Sequence, residues 1–381
     1  MLGMTTDVTR AIPSLGVGFI GGGFMAETHS RAARAARATL VGLTSSSPER
    51  SAVAAEQLGL PKSYPTIDDM LADDAIDVVH VCTPNATHVR FARAAIEAGK
   101  HVVCEKPLAT SRSDAEQLVA QAESAGVTAT VPFVYRYHPM VREARARVAQ
   151  GELGTLLTIQ GGYLQDWLLS KADDDWRVDA SQGGPSRAFA DIGSHLCDLI
   201  EFVAGDRIRR LSATKRTFFT ERATNRDIAT EDAVAIVTEL ASGAIGTLLV
   251  SQVAPGHKNA LTFELSGSSQ TIRFDQESPE TLWLGRRSGT ELLAREPGQL
   301  SPDAARLAVL PAGHPLGYQD AFNAFVADSY AAVVGGTPEG VPTFRDGLRA
   351  VQVTEAVLES AASGAWVDLG VPAYAASGGA A

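Results

Sequence analysis

The stretch Leu15-Gly16-Val17-Gly18-Phe19-Ile20-Gly21-Gly22-Gly23-Phe24-Met25-Ala26 decides how the rest of the chain is read. Leu15 to Ile20 is apolar or small and reads as a buried strand. Phe24 to Arg37 is rich in alanine and arginine and reads as a helix. Between them Gly21, Gly23 and Ala26 fit the spacing G-x-G-x-x-A. In a strand–turn–helix setting each position has a physical reason: Gly21 permits a tight turn, Gly23 lets the backbone approach a pyrophosphate, and Ala26 keeps helix and strand close. The phosphates would lie on the free N–H groups that open the helix, beside Phe24 and Met25. The alternative is an ordinary glycine turn, and the alternation of strands and helices through the next hundred residues favours the dinucleotide loop.

Strand and helix patterns alternate through the first third. Thr39 to Thr44 reads as a strand, Pro48 to Leu58 as a helix opened by proline, Ile67 to Leu71 as a short helix and Ile76 to Cys82 as a strand. Val89, Ala92 and Ile96 then fall on one helical face. His101 to Cys104 reads as a strand, Ser113 to Ala125 as a helix stopped at Gly126, and Val127 to Val134 as a strand. Nearly continuous apolar strands separated by helices imply an α/β fold with a parallel, doubly wound sheet covered on both faces. Past about residue 150 the rhythm changes to longer alternating runs, at 156–167, 208–219, 233–240, 244–253, 260–266 and 271–274. They imply a C-terminal α+β domain with an open, largely antiparallel sheet, one face of it covered. Asp174 to Pro185 reads as a loop. Two helices, about 317–334 and 343–363, come last, and the second is expected to pack back on the first domain. The division expected is 1–135 and 136–381, with a ligand cleft between. Ala375 to Ala381 is small and glycine-rich and is expected to fray.

The bulk numbers exclude several classes. The 381 residues are 45% hydrophobic and 20% charged, with a net charge of −11. So acidic a chain is a poor partner for nucleic acid or an anionic membrane. No apolar run approaches a membrane span, and Met1 to Arg10 lacks the apolar core of a signal peptide. Cys82, Cys104 and Cys197 are odd in number, widely spaced and set in apolar segments. They read as buried thiols of a cytoplasmic protein and not as disulfides or metal ligands.

At the end of the second strand, where an acid would bind the ribose hydroxyls of NAD, the chain has Thr44-Ser45-Ser46-Ser47, with Arg50 one turn further on. This tilts the reading toward NADP; the alternative is NAD held through Ser45, with Arg50 a solvated charge. Thr83-Pro84-Asn85-Ala86-Thr87-His88 follows the strand ending at Cys82, on the ligand edge of such a sheet. Thr83 and Asn85 can reach ribose or nicotinamide, while His88 reads as a capping or packing residue.

Two later stretches carry the chemistry. Glu105-Lys106-Pro107 ends the strand beginning at His101, and Pro107, in a trans or cis bond, would aim Lys106 into the cleft. A lysine beside a nicotinamide is suited to handling a proton, and Glu105 to binding a ribose hydroxyl or holding Lys106; the plain alternative is a surface ion pair. In the second stretch, 191–203, Ile192, Leu196, Leu199 and Val203 form an apolar stripe. Asp191, His195 and Asp198 share the neighbouring face, with Asp191 a possible N-cap. A carboxylate near an imidazole orients it. The alternative is a satisfied structural histidine.

Taken together, Gly21 to Ala26, Thr83-Pro84-Asn85 with His88, Gly99-Lys100-His101, Glu105-Lys106-Pro107, Tyr135-Arg136-Tyr137-His138-Pro139 and Asp191 to Asp198 resemble the glucose–fructose oxidoreductase / inositol dehydrogenase / rhizopine-catabolism (Gfo/Idh/MocA) family. The resemblance implies a Rossmann domain with NAD or NADP bound. Lys106 and His195 would handle a substrate hydroxyl proton, with Asp191 in the same site, and Tyr135, Arg136 and His138 would line the cleft near the cofactor, Arg136 as a cofactor-binding residue. It also implies a homodimer or homotetramer through the C-terminal sheet. The activity implied is hydride transfer between the cofactor and a ring or polyol carbon of a carbohydrate. Gln165, Asp166, Trp167, Trp176 and Arg177 are further candidates for the substrate side, Trp as a pyranose platform and Arg177 as a reader of an anionic group; the alternative for Trp167 is plain sheet core. A second expectation is a glycosidase that keeps its cofactor and works by transient oxidation, elimination, water addition and re-reduction. A third is a non-catalytic nucleotide sensor, which would lack Lys106 or His195. The missing acid at Ser45 departs from the family pattern.

Overall fold

A computed structural model describes residues 14–372. The expectations for Met1 to Arg10 and for Ala375 to Ala381 lie outside the described residues.

Six parallel strands form the first sheet: β1 (Gly16–Ile20), β2 (Thr39–Thr44), β3 (Lys62–Ser63), β4 (Val78–Val81), β5 (His101–Cys104) and β6 (Ala129–Thr130), in the order β3-β2-β1-β4-β5-β6. All of β1 and β4 is buried, as strands covered on both faces by helices must be. The helices Phe24–Ala35 and Pro48–Leu58 return the chain to β2 and β3, and Ser47 caps the second by accepting from the Arg50 N–H. Parallel connection brings the C-terminal ends of β1, β4 and β5 to one edge, and the three motif loops leave from there.

The second sheet has nine strands: β7 (Leu156–Leu164), β8 (Ile208–Arg216), β9 (Ala233–Leu240), β10 (Ile245–Ser251), β11 (Ala260–Gly267), β12 (Thr271–Asp275), β13 (Thr281–Arg286), β14 (Gly289–Ala294) and β15 (Val367–Asp368). Their order is β14-β13-β12-β11-β7-β10-β9-β8-β15. Exposure alternates residue by residue along β9 and β10. The inward Val234, Ile236, Leu248 and Val250 join one apolar core with Leu196 and Ile200 of the helix Ser194–Ala204. The sheet is mixed: β7 and β10 run parallel, and its other pairs are antiparallel. The alternation read in the sequence gives a strand's covered face but not its neighbour's direction.

Some local expectations need correction. β13, β14 and β15 were not anticipated; β14 is short, mostly exposed and lacks a buried alternation to reveal it. Nor was the short helix Pro302–Leu307. The segment 174–185 is not a plain loop: it contains a 3-10 turn, Trp176–Val178, and a four-residue helix, Ala180–Gly183, capped by Asp175 and Asp179. Each aspartate accepts from a backbone N–H two residues on, a local bond that competes well in so short a segment. The last helix is Phe344–Ser363. It packs on the helix Arg112–Ala125, and the Val131 N–H donates to the Pro342 carbonyl at 3.0 Å. The three cysteines are free thiols. Among the described residues no helix is long and apolar enough to cross a membrane.

Candidate active site

The nucleotide end is built by exclusion. Gly21 has φ +108°, and a Cβ there would stand 2.4 Å from the Cys82 carbonyl oxygen, so only glycine fits. Gly23 is the opposite case: a Cβ would meet nothing within 4 Å. It opens the helix Phe24–Ala35 with no side chain capping the free N–H groups. An open approach onto uncapped donors fits a pyrophosphate. Ala26 is fully buried, Met25 half-buried and Phe24 exposed. Beyond β2 lies a hollow of about 420 Å³ lined by Gly22, Gly23, Ser45, Glu49, Arg50 and Val53 among others. Arg50 Nη1 donates to Ser46 Oγ at 3.2 Å. Glu49, a carboxylate on that rim, escaped the sequence reading because it falls just beyond the strand end where the ribose-binding acid is sought.

The loop after β4 is held by its neighbours. The Asn85 side-chain amide donates to the Gly183 carbonyl at 2.8 Å, tying this loop to the second domain. The Thr87 hydroxyl lies 2.7 Å from both Thr83 Oγ1 and the Pro84 carbonyl oxygen. His88 is buried, with Nδ1 2.8 Å from the Pro107 carbonyl and Nε2 2.8 Å from the Thr83 carbonyl. Only a doubly protonated ring donates to both; burial opposes that charge and lowers the His88 pKa despite the two carbonyls. His88 therefore braces two cofactor-side loops, and the Asn85 amide is already engaged.

Lys106 and the 191–203 segment meet. Lys106 precedes a cis peptide bond to Pro107. Its Nζ donates to Asp191 Oδ1 at 2.6 Å and to the Asp191 carbonyl at 3.0 Å. Asp191 Oδ2 accepts from Gln252 Nε2 at 2.8 Å, and Arg177 Nε lies 3.5 Å from Oδ1. Burial opposes ionisation of Asp191, but Lys106 and Arg177 outweigh it and hold the carboxyl well below its ordinary value. His195 is buried edge-on to Tyr135 and Phe133, at ring separations of 5.1 and 5.6 Å. Burial, and then the charge of Lys106, push its pKa down to about 3, against the pull of Glu105 and Asp191. At neutral pH the ring is a neutral base. Neither of its nitrogens has a hydrogen-bond partner among the described residues, and Nδ1 is wholly enclosed.

Two expectations for this segment fail. Asp191 bonds to Lys106 and does not orient His195 by a hydrogen bond. Asp191 is also not an N-cap: it lies inside a π-helical turn, Phe189–Gly193, that runs into the helix Ser194–Ala204. Of the three polar residues, Asp191 and His195 both lie by Lys106. Asp198 faces Arg136 instead, its pKa raised to about 6 because burial outweighs the guanidinium. Arg136 is likewise corrected. Its guanidinium is buried, paired with Asp198 and with Asp346 (2.8 Å), which commits it to joining the first domain's end to the last helix and not to a cofactor.

The substrate-side candidates divide. The Tyr135 hydroxyl lies 2.5 Å from that of Tyr163; Tyr163 donates to Asn259 Oδ1 at 2.6 Å, Gln165 Nε2 to the same oxygen at 2.9 Å, and Trp167 Nε1 to Gln165 Oε1 at 2.8 Å. Trp167 is 37% exposed, so it is not sheet core. Trp176 lies against the Arg177 guanidinium at 4.4 Å, and Arg177 also bonds Asp175 at 3.0 Å. Asp166 is drawn to Lys258 at 2.6 Å. His138 is buried beside Tyr135 and Phe274, its pKa lowered to about 4 by burial. Gln252 and Tyr318 were missed. Gln252 is one more polar residue at a strand end, and Tyr318 begins a helix; only the fold brings them to Asp191, Tyr135 and Glu105.

Residues 15–133 match the model of an oxidoreductase family with an NAD-binding Rossmann fold, and residues 141–273 match the Gfo/Idh/MocA C-terminal domain. Levoglucosan dehydrogenase of Pseudarthrobacter phenanthrenivorans is 30% identical over 93% of this chain and 98% of its own. A structure of levoglucosan dehydrogenase in complex with NADH and levoglucosan superposes with a TM-score of 0.87 at 30% identity, covering 94% of this chain and all of the other. An inositol dehydrogenase homologue from Azotobacter vinelandii, complexed with NAD+, gives 0.88 at 28% identity over 96% and 100%. With the dinucleotide loop, the lysine, the histidine and both domain types in place, this chain belongs to the Gfo/Idh/MocA family of oxidoreductases.

Proposed function

We infer that this NAD(P)-dependent sugar oxidoreductase acts on a ring hydroxyl of an uncharged sugar, anhydrosugar or cyclic polyol. The observation that carries the reading is the Lys106–Asp191 pair beside a neutral, unpartnered His195 at the nucleotide edge of the first sheet. The nicotinamide, when bound, supplies the hydride acceptor or donor. His195 takes the hydroxyl proton as the carbon is oxidised. Lys106 donates to the same oxygen and stabilises the negative charge that develops there. Asp191, steadied by Gln252 and Arg177, keeps Lys106 in place. The linked groups of Tyr163, Asn259 and Gln165 offer donors and acceptors for further ring hydroxyls. Arg177 has two carboxylates around it, Asp175 and Asp191, and little positive charge left for a phosphate or acid group; this supports an uncharged substrate over the anionic one.

At the adenosine end, Ser45, Ser46 and Arg50 favour NADP, with NAD bound through Ser45 as the alternative. The uncovered face of the second sheet exposes Val237, Ile245 and Leu249 at 44%, 56% and 47%, around a shallow hollow. Apolar exposure of that kind supports assembly as a dimer or tetramer through this face.

One preparation tests the reading. Mass spectrometry of the purified protein identifies retained cofactor. A panel of pyranoses, anhydrosugars and inositols is then assayed with NAD and NADP by nicotinamide absorbance, and sedimentation gives the oligomer. Net cofactor reduction is expected, with kcat lowered about 10²- to 10⁴-fold by Lys106→Ala or His195→Ala. Full turnover in both variants would refute the roles assigned. Glycoside cleavage without net absorbance change would shift the reading to the redox-neutral glycosidase.

A further inference from the structure

Glu105 has a backing that the proposed reaction does not use. Its Oε1 lies 2.9 Å from His29 Nε2, in the second turn of the helix Phe24–Ala35. His29 Nδ1 lies 2.7 Å from His80 Nδ1 on β4, and His80 Nε2 lies 2.8 Å from the hydroxyl of Tyr330, in the helix Tyr318–Val333. His29 and His80 are fully buried, and Tyr330 is 4% exposed. Three hydrogen bonds in series thus run from the far helix to the carboxylate.

Only one placement of protons satisfies all three with neutral rings. An ionised carboxylate accepts, so His29 carries its proton on Nε2. His29 Nδ1 then accepts, so His80 carries its proton on Nδ1. His80 Nε2 then accepts, and the Tyr330 hydroxyl donates. Burial drives the His80 pKa well down and the Tyr330 pKa well up, which keeps both neutral. The other carboxylate oxygen, Oε2, accepts from the Lys106 backbone N–H at 3.1 Å. Both oxygens of Glu105 therefore face donors. A proton added to Glu105 would either displace one of those bonds or force the whole chain to reverse, and networks of this kind lose more than one bond when one member changes.

The groups around Glu105 agree with that arrangement. Burial pushes its carboxyl up, but the His29 bond and the positive charge of the nearby Lys106 outweigh burial and hold it below its ordinary value. The thiols of Cys82 and Cys104 and the hydroxyl of Tyr318 are raised, first by burial and then by Glu105 itself, and stay neutral. The charge of Glu105 in turn favours the charged forms of His195 and Arg177. Its ionisation is therefore felt across the site.

We propose that His29, His80 and Tyr330 are positioning residues that act through Glu105: they lock it as an oriented carboxylate whose fixed negative charge serves the Lys106–His195 pair and the cationic form of the nicotinamide. The role assigned to that pair rests on the proposed function.

Two substitutions of one residue test it. In His29→Gln the amide nitrogen reaches the place of Nε2 and still donates to Glu105. In His29→Asn it stops at the place of Nδ1 and does not. Both remove the ring that packs against Phe322 at 4.6 Å, so a packing role alone would make them equally impaired. The chain separates them. Losing its donor, Glu105 takes up a proton at higher pH. The acid limb of the kcat/KM profile is expected to move up by about one pH unit in His29→Asn and to stay near the original in His29→Gln. Tyr330→Phe, which deletes one hydroxyl at the far end, should move it the same way by less. A readout without sugar is the ratio of NAD+ to NADH affinity, by fluorescence titration at about pH 6 and pH 8. That ratio should fall several-fold, up to about tenfold, in His29→Asn at the lower pH only. If no sugar is turned over but the ratio separates the variants in this way, the substrate reading falls and the chain stands. If sugars are turned over while His29→Asn and Tyr330→Phe keep the original acid limb, or Asn and Gln shift it equally, the chain has no such role.

Discussion

Asp191 is gripped by three side chains, and the least conspicuous of them shows what the site values. Gln252 gives its amide N–H to Asp191 and leaves its own Oε1 buried without a partner. An unmet buried carbonyl costs about 1–3 kcal/mol, so the bond to the carboxylate must outweigh it. A hydrogen bond to a charged group is worth about 1.5–3 kcal/mol, and each 1.4 kcal/mol is about a factor of ten in rate. Gln252→Leu is therefore expected to lower kcat/KM about 10- to 100-fold with the fold intact. Gln252→Glu should do worse, because it sets a second carboxylate against the first and competes for Lys106. Steady-state kinetics alongside thermal melting checks both. If Gln252→Leu kept full kcat/KM, Asp191 would be sufficiently held by Lys106 and Arg177 alone.

The helix Ser194–Ala204 works on two sides: His195 faces the site, and Asp198 meets the buried guanidinium of Arg136, which also holds Asp346 of the last helix. Removing one partner of a buried pair leaves an uncompensated charge and costs about 3–5 kcal/mol. Arg136→Met is expected to lose that much stability in denaturant unfolding while the folded fraction binds NAD(H) as before; a weakened cofactor with unchanged stability would restore Arg136 to the nucleotide site. The same pairing marks where sequence reading stops. Gly21 to Ala26 and Glu105 to Pro107 were legible because each is a short segment whose geometry is fixed by its own residues and the strand before it. The direction of β7 against β10, the π turn at Asp191, and the meeting of Gln252 and Tyr318 with the site were not. They are set by contacts between positions more than forty residues apart, and a polar residue at a strand end looks alike whether it faces solvent or a carboxylate. His195 lies in the helix that the apolar stripe marks, yet its supposed partner belongs to Lys106, since periodicity assigns faces and not bonds.

The molecule as a whole buries much of its titratable histidine in the neutral state. Of the 8 histidines in the chain, His80, His88, His101, His138 and His195 all have pKa values lowered chiefly by burial. The sign comes from proton counting. Between about pH 6.5 and the depressed folded values, the unfolded chain binds protons that the folded protein refuses, so stability falls as pH falls. For His138 the drop from 6.5 to about 4 corresponds to as much as roughly 3 kcal/mol once the unfolded ring is charged. Asp198 acts in the opposite sense: raised to about 6, it takes a proton in the folded protein first and returns some stability over the same range. Asp191 and Glu105, both lowered, add their losses only below about pH 4. Five histidines against one carboxyl leave a net loss, so the melting temperature should be flat near neutrality and decline from about pH 6.5 to pH 4. His138 has no place in the proposed chemistry; its ring lies against Tyr135 and Phe274 and its buried Nε2 has no hydrogen-bond partner among the described residues, which makes His138→Phe the diagnostic variant. It should be less stable or equal at neutral pH and lose distinctly less than the original protein across that window; parallel declines in the two would mean that His138 is charged or solvated in the folded state.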